Sequence, residues 1–291
     1  MRAGEYCSSL DGGRIQCQLC PRACVLLDGE SGECRTRLNE NGTLTLPFYG
    51  AISSIAIDPI EKKPLRRFLP GTRTYSVGFW HCTMRCPFCQ NWQIAHPDRI
   101  EGEIITPEAL VDMAKSSGLP SMSFTYSEPC LHIEYVKECM SLARAQGIKT
   151  ILVTNGNLLE VPARDILALT DATNVDLKSY SAATYHKVLG GNLETVKKFI
   201  QIAHRSGCHV EVTSLLVPGV LDRRGEIEGI ADFIASVSPA IPLHITPYHP
   251  AWHWDKEPLS MLQREHCAAP AFERLDYVYL AYIPQRVFIG G

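Results

Sequence analysis

The chain has no apolar run approaching the ~18–20 residues that cross a bilayer, so no helical membrane span is expected. Its first residues, Met1-Arg2-Ala3-Gly4-Glu5-Tyr6, lack the apolar stretch of a secretory signal, which makes the cytoplasm the expected compartment. Positive charge is not in excess either. With 28 Lys and Arg against 31 Asp and Glu, the formal net charge is -3, and composition gives no electrostatic case for nucleic acid or an anionic membrane as partner. No internal repeat and no low-complexity linker interrupts the 291 residues. That length suits one large α/β domain with a small appendage, and 45 % hydrophobic residues supply a well-buried core.

Cysteine is plentiful. There are 12, and in a cytoplasmic chain they read as metal ligands before disulfide partners. They fall into the groups Cys17/Cys20/Cys24/Cys34 and Cys82/Cys86/Cys89, while Cys7, Cys130, Cys139, Cys208 and Cys267 are scattered and read mostly as small buried hydrophobes. The run Cys82-Thr83-Met84-Arg85-Cys86-Pro87-Phe88-Cys89 lets one compact loop wrap three thiolates around a cube of iron and sulfide. A full cage needs four thiolates, so one iron stays open to a chelating ligand. The plainer alternative is a zinc site short of one ligand, although zinc knuckles prefer paired cysteines or Cys/His pairs.

From about Ile104 onward, short apolar strands alternate with amphipathic helical stretches. Strands are expected at Met122–Tyr126, Thr150–Thr154, Asp171–Leu177, His209–Val217 and Leu243–Thr246, after a first strand at Thr74–Trp80 that feeds the cysteine loop. Helices are expected at Leu131–Gln146, Pro162–Leu169, Leu193–Arg205 and Arg224–Ser236. This alternation argues for a parallel sheet with right-handed crossovers, but periodicity alone does not separate a partial barrel from a flat doubly wound sheet. Residues 1–70 do not follow the rhythm and read as a separate Cys-rich metal-binding module, leaving 71–291 for the sheet domain.

In either architecture, functional residues gather at the carboxyl ends of the strands. Those ends carry Thr125-Tyr126-Ser127-Glu128-Pro129, Thr154-Asn155-Gly156-Asn157, Asp176-Leu177-Lys178, Leu216-Val217-Pro218-Gly219 and Thr246-Pro247-Tyr248-His249-Pro250. Each alone is an ordinary strand end. Together, in register with a cysteine loop after the first strand, they are a joint signal.

The cysteine triplet resembles the signature of the radical S-adenosylmethionine (SAM) enzymes. Longer runs place the resemblance in the pyruvate formate-lyase activating-enzyme-like group, and most closely with the radical SAM member of the AmmeMemoRadiSam system. These runs are Cys17-Gln18-Leu19-Cys20-Pro21-Arg22-Ala23-Cys24, Asp58-Pro59-Ile60-Glu61-Lys62-Lys63-Pro64-Leu65, Cys89-Gln90-Asn91-Trp92 and Asn174-Val175-Asp176-Leu177-Lys178. The resemblance implies a partial (β/α)6 TIM-like radical SAM barrel. It also implies a [4Fe–4S] cluster on Cys82, Cys86 and Cys89, with SAM on the open iron. Reductive cleavage of SAM would release a 5′-deoxyadenosyl radical that takes hydrogen from a substrate.

The resemblance implies residue roles as well. Phe88 places its ring or backbone against the adenine, Ser127 and Glu128 receive the SAM ammonium, and Asn155 lies on the turn facing SAM. Asp176 and Lys178, on one face of a strand, meet the ammonium, carboxylate or ribose. His249 approaches the ribose, with His244 a less certain neighbour. The chain departs from the pattern at His81, where relatives usually have glycine, at Ser127, where asparagine is usual, and at Val153, so the aspartate-dependent cation site of activating enzymes is not transferred. It also stops soon after Tyr277-Val278-Tyr279, where many relatives continue into another cysteine-bearing segment.

Cys17, Cys20, Cys24 and Cys34 can close either a four-thiolate zinc site or an auxiliary [4Fe–4S] cluster. The basic run Lys62-Lys63-Pro64-Leu65-Arg66-Arg67 is a solvated face or a contact for an acidic partner or substrate. The expected partners are a low-potential donor, ferredoxin or flavodoxin, and a peptide, protein or small-molecule substrate. Two rival functions stay open. One is an activating enzyme for a glycyl-radical enzyme. The other is a non-catalytic zinc-binding interaction module, weakened by the lack of interleaved basic and aromatic residues.

Overall fold

The computed structural model describes residues 2–100 and 102–280. Among these, β1 (Arg2–Ala3), β2 (Cys7–Leu10), β3 (Arg14–Cys17), β4 (Val25–Leu26), β5 (Leu38–Glu40) and β6 (Thr43–Leu46) make two small antiparallel sheets, ordered β2-β3-β4 and β1-β6-β5. Their own core is little more than Ile15, Leu26 and Leu44. Polar ties supplement it. The Asn39 amide donates to the carbonyls of Gly13 and Leu26, both at 2.9 Å.

The large sheet begins earlier than the sequence suggests. β7 (Ile52–Pro59) pairs antiparallel with β8 (Arg73–Phe79), so residues assigned to the N-terminal module run in the main sheet. From β8 the chain winds in one sense through β9 (Ser121–Thr125), β10 (Lys149–Thr154), β11 (Ala172–Asp176), β12 (His209–Leu216), β13 (Leu243–Pro247) and β14 (Val278–Leu280), each parallel to the last. A doubly wound sheet reverses its strand order at a switch point. Here the order never reverses, which favours the partial barrel, with β7 and β14 at its two edges among the described residues. The six expected parallel strands are β8 to β13, and β14 adds a seventh.

After α1 (Trp92–Ala95), the crossovers are carried by α2 (Pro107–Ser116), α3 (Ile133–Ala145), α4 (Glu160–Leu167), α5 (Ala182–Thr184) with α6 (Leu193–Arg205), α7 (Arg224–Val237) and α8 (Met261–Arg274). The spacing of apolar residues explains them. In α6, Leu193, Val196, Phe199, Ile200 and Ala203 form one buried stripe, and the Asn192 side chain caps the helix by accepting from the Thr195 amide. Helices outside and side chains inside bury β9 completely along its length, the pattern of a covered parallel strand.

Candidate active site

The cysteine loop leaves the carboxyl end of β8. His81 makes the turn at φ +67°, a left-handed conformation that glycine adopts without cost, in keeping with its departure from the usual glycine. Buried, and close to His132, Arg35 and His96, the His81 imidazole is held down to about 4. The loop is pinned from several sides. The Arg85 amide donates to Leu189 O at 2.8 Å, His253 N to Pro87 O at 2.9 Å and His81 N to Ile94 O at 2.8 Å. Met84 packs closely on Gly191, where a Cβ would sit 2.7 Å from its Cε, so a larger residue there would have to displace the Met84 methyl.

The surroundings of the three thiols suit an anionic cluster. The Met84 amide points at Cys82 Sγ at 3.4 Å, and Asn155 Nδ2 approaches the same sulfur at 3.6 Å. Burial pushes the Cys86 thiol up to about 12, and the Lys178 cation opposes that at both Cys86 and Cys89. Among the described residues no three His, Cys, Asp or Glu side chains converge as one metal ion requires.

The predicted polar residues divide into two sets. Ser127, Asp176 and His249 line one cavity of about 900 Å³ inside the barrel. The Ser127 hydroxyl donates to Phe79 O at 2.5 Å, and Asp176 accepts from Lys178 Nζ at 2.8 Å. Burial works against the Lys178 cation, but Asp176 and Cys86 outweigh it and raise its pKa. Glu128, Asn155 and Phe88 are turned elsewhere. The Glu128 carboxylate accepts from the amides of Cys130 (3.0 Å) and Asn155 (2.9 Å) and from the Thr154 hydroxyl (2.7 Å), locking the end of β9 to the end of β10. Burial still pushes its pKa up against those three donors. Asn155 spends its amide on Thr83 Oγ1 at 2.9 Å and on Cys82, so it braces the cysteine loop. The Phe88 ring is buried in the main core.

The cavity region also contains residues that belong to longer sequence runs but had no expected role toward SAM, and His244, expected as a neighbour of His249. Asn91 and Gln90, just after the third cysteine, line it, and Asn91 Nδ2 donates to Tyr126 O at 2.5 Å. Tyr126 has φ +75°, and its ring folds back over β8, where a Cβ on Gly78 would lie 2.9 Å from Tyr126 Cδ2. Its hydroxyl donates to Asp58, which also accepts from Lys62 at 2.9 Å and Lys63 at 2.7 Å. Burial opposes the Asp58 charge, yet these three donors hold the carboxyl well below the usual range. Lys63, 1 % exposed and 4.2 Å from the Tyr126 ring centroid, is brought down to about 8 by burial against the pull of Asp58. His244 lines the cavity too, its Nε2 2.5 Å from the fully buried Glu211.

Two turns present the N-terminal cysteines. Ala23 N donates to Cys20 O at 3.1 Å, and Arg35 N to Gly32 O at 2.8 Å. Cys24 and Cys34 face each other across Gly32, whose Cβ position would be 3.9 and 3.5 Å from their sulfurs. Burial pushes the Cys20 thiol up to about 12, and the nearby Cys34, Cys17 and Cys24 add to the rise, so all four sulfurs share one neighbourhood. A cavity of about 340 Å³ adjoins both cysteine groups. Cys34 and Cys82 line it together with Arg22, Arg35, Arg85 and His96.

Three thiols thus stand on one loop at the carboxyl mouth of a partial parallel barrel, beside a cavity roomy enough for a small ligand. The chain belongs to the radical SAM superfamily, whose family model matches residues 81–234. It is 35 % identical over 289 residues to an uncharacterized protein of Methanocaldococcus jannaschii, covering 98 % of this chain and 86 % of that one. It is 26 % identical over 190 residues to the pyruvate formate-lyase-activating enzyme of Clostridium pasteurianum, covering 62 % of this chain and 76 % of that enzyme. Streptococcus suis SuiB bound to S-adenosylmethionine shares the fold at TM-score 0.56 and 16 % identity, over 70 % of this chain and 49 % of SuiB. A radical SAM methyltransferase from Sphaerobacter thermophilus does so at TM-score 0.55 and 16 % identity, over 74 % of this chain and 67 % of that one. No helix among the described residues is long and apolar enough to cross a membrane.

Proposed function

We propose that Cys82, Cys86 and Cys89 hold a [4Fe–4S] cluster with one open iron, and that SAM lies between it and the barrel cavity. The observation that carries this reading is the placement of Asp176. One carboxylate lines the cavity and also holds Lys178, the cation whose field reaches Cys86 and Cys89. When bound, the cluster supplies the electron for reductive cleavage of SAM.

The chain's own residues bind, orient and insulate. Asp176, Ser127 and His249 offer the cavity polar groups for the amino acid and ribose of SAM, and the backbone beside Phe88 flanks the adenine. Asn155 and the Met84 amide hold Cys82 by N–H contacts to sulfur. Glu128 acts through Asn155, whose amide it holds, and is a positioning residue. The hydrogen donor is a peptide, protein or small molecule that enters the same cavity. Similarity to pyruvate formate-lyase-activating enzymes supports the alternative of a glycyl-radical enzyme as substrate.

A second metal, as a [4Fe–4S] cluster or as zinc, belongs on Cys17, Cys20, Cys24 and Cys34. A ferredoxin or flavodoxin, both acidic, suits the neighbouring cavity, where Arg22, Arg35 and Arg85 outnumber Glu33 and Asp98. Anaerobic reconstitution tests the whole reading. Wild-type protein should release 5′-deoxyadenosine from SAM with a strong reductant and hold about eight irons, or about four irons and one zinc. Joint replacement of Cys82, Cys86 and Cys89 by alanine should remove about four irons and the activity. Undiminished SAM cleavage in that triple variant refutes the assignment.

A further inference from the structure

The barrel cavity continues beyond the groups assigned to SAM. Its far wall is the loop after β7, with Glu61, Lys62, Lys63, Pro64 and Arg66, and it faces Phe272, Val278, Tyr279 and Leu280 on α8 and β14. β7 runs antiparallel to β8, with Pro59 opposite Arg73, so this wall lies at the amino end of the barrel, at the foot of the seam between β7 and β14, the edge strands among the described residues. Two ring contacts bridge the seam. The Arg66 guanidinium lies 5.3 Å from the Tyr279 ring centroid, and that of Arg67 lies 3.7 Å from the Tyr277 centroid.

The charges on this wall do not cancel. Lys62 and Lys63 share the single carboxylate Asp58, and Glu61 spends one oxygen on the Gly71 amide at 2.9 Å. Arg66 has no carboxylate partner within ion-pair distance among the described residues. Its backbone is fixed all the same, because the amides of Arg66 and Arg67 both donate to the buried Glu211, at 3.0 and 2.8 Å. Counting Arg67, four cations against Asp58, Glu61 and the buried Glu211 leave one uncompensated positive charge, and Arg66 and the partly exposed Lys62 are the cations that meet the cavity beside the ion-paired Lys63. That charge attracts an anion that enters the cavity.

We infer that the substrate is a small molecule bearing a carboxylate or a phosphate, and that Lys62 and Arg66 receive that group at the seam between β7 and β14. The inference rests on the SAM reading of the opposite end of the cavity. Size favours a small molecule over a folded partner. A cavity of about 900 Å³ stands at the upper end of the roughly 300–1,000 Å³ that holds one drug-sized ligand. With SAM at one end, the remainder suits a metabolite.

The test uses anaerobically reconstituted full-length protein at fixed ionic strength. Inorganic phosphate and succinate are titrated calorimetrically, with and without SAM, into the wild type, Lys62→Gln, Arg66→Gln and the control Lys149→Gln, which lies outside the cavity. One probe should bind the wild type and the control alike, and at least fivefold more weakly to Lys62→Gln and Arg66→Gln, while SAM affinity changes less than twofold. Preference for phosphate or for succinate then identifies the group. If neither probe binds the wild type, or if both bind Lys62→Gln and Arg66→Gln as they bind the control, the inference is overturned. Failure of SAM to bind the wild type would refute the functional reading instead, and the titrations without SAM would still report on Lys62 and Arg66.

Discussion

Asn155→Ala would separate the two tasks of the turn after β10. The side chain donates to Thr83 Oγ1 at 2.9 Å, approaches Cys82 Sγ at 3.6 Å and accepts from the Asn157 amide at 2.9 Å. Thr83 and Asn157 are only 4 % and 2 % exposed, so water cannot readily replace the lost partner. Leaving each buried group unpaired costs about 1–3 kcal/mol, which puts the local destabilisation at roughly 2–5 kcal/mol. The contact to sulfur has a different signature. An N–H aimed at a ligand sulfur favours the more negative, reduced cluster, so its loss should lower the reduction potential. A differential of about 1 kcal/mol corresponds to about 40 mV for a one-electron couple. Asn155→Asp, which puts a carboxylate near Cys82, should shift the potential further in the same direction. Potentials come from anaerobic redox titration followed by electron paramagnetic resonance, and stability from urea denaturation. If Asn155→Ala is destabilised but its potential moves by less than roughly 10 mV, or moves upward, the amide is a structural tie only and the assigned role at Cys82 is wrong.

Gly78→Ala should disturb the cavity wall from behind, because the new Cβ would lie 2.2 Å from Ser54 Oγ, 2.8 Å from Ser53 Oγ and 2.9 Å from the Tyr126 ring. We expect a loss of about 1–3 kcal/mol in urea denaturation, together with weaker SAM binding by calorimetry; unchanged stability would mean that Tyr126 does not rest on Gly78. Lys63 gives a pH dependence. Its folded pKa of about 8 lies below the ordinary 10.5, so between these values the unfolded chain binds more protons and this group makes stability rise with pH, by at most about 3 kcal/mol. The contribution is complete above 10.5 and lost as pH falls through about 8. Buried thiols and phenols titrate in the same range, so the quantity to measure is wild type minus Lys63→Met, which should grow from about pH 7.5 to about pH 10; a flat difference would show that Lys63 keeps its proton.

The parts of the fold written in local pattern were legible in the sequence. The first parallel strand, expected at Thr74–Trp80, is Arg73–Phe79, and the helix expected at Arg224–Ser236 is Arg224–Val237. The loop of Cys82, Cys86 and Cys89 lies where the strand before it required. What escaped depends on contacts between distant segments. Ile52–Pro59 follows a Gly- and Cys-rich stretch and is partly exposed, so nothing local marks it as a partner of β8. The resemblance offered Glu128, with Ser127, as a receiver of the SAM ammonium; the three donors on its carboxylate, from residues 130, 154 and 155, depend on the meeting of β9 and β10 and are not visible in local spacing. The run Lys62 to Arg67 reads as a solvated face or a contact for an acidic partner or substrate. The burial of Lys63 follows from Asp58 and the returning Tyr126 ring, and that ring packs on Gly78, which local spacing does not reveal.

The first fifty residues also bear on the cysteine loop more directly than a separate module would. Arg22, between Cys20 and Cys24, donates from Nη2 to Gly190 O at 2.9 Å and from Nε to Thr83 O at 3.4 Å, so one guanidinium spans both cysteine groups. Leu159 N donates to Leu19 O at 3.0 Å, which joins the turn after Cys17 to the start of α4. Beneath these lies Arg37, 1 % exposed, with Nη2 2.8 Å from Glu134 on α3. Removing one member of such a buried pair typically costs about 3–5 kcal/mol, because the other charge is left without a partner. A segment whose own core is little more than Ile15, Leu26 and Leu44 cannot supply that stability alone. The small sheets are therefore held in place by the barrel as much as by their own residues. Through Thr83, Arg22 ties the Cys20/Cys24 turn to the loop that carries Cys82, so order in one cysteine group is order in the other.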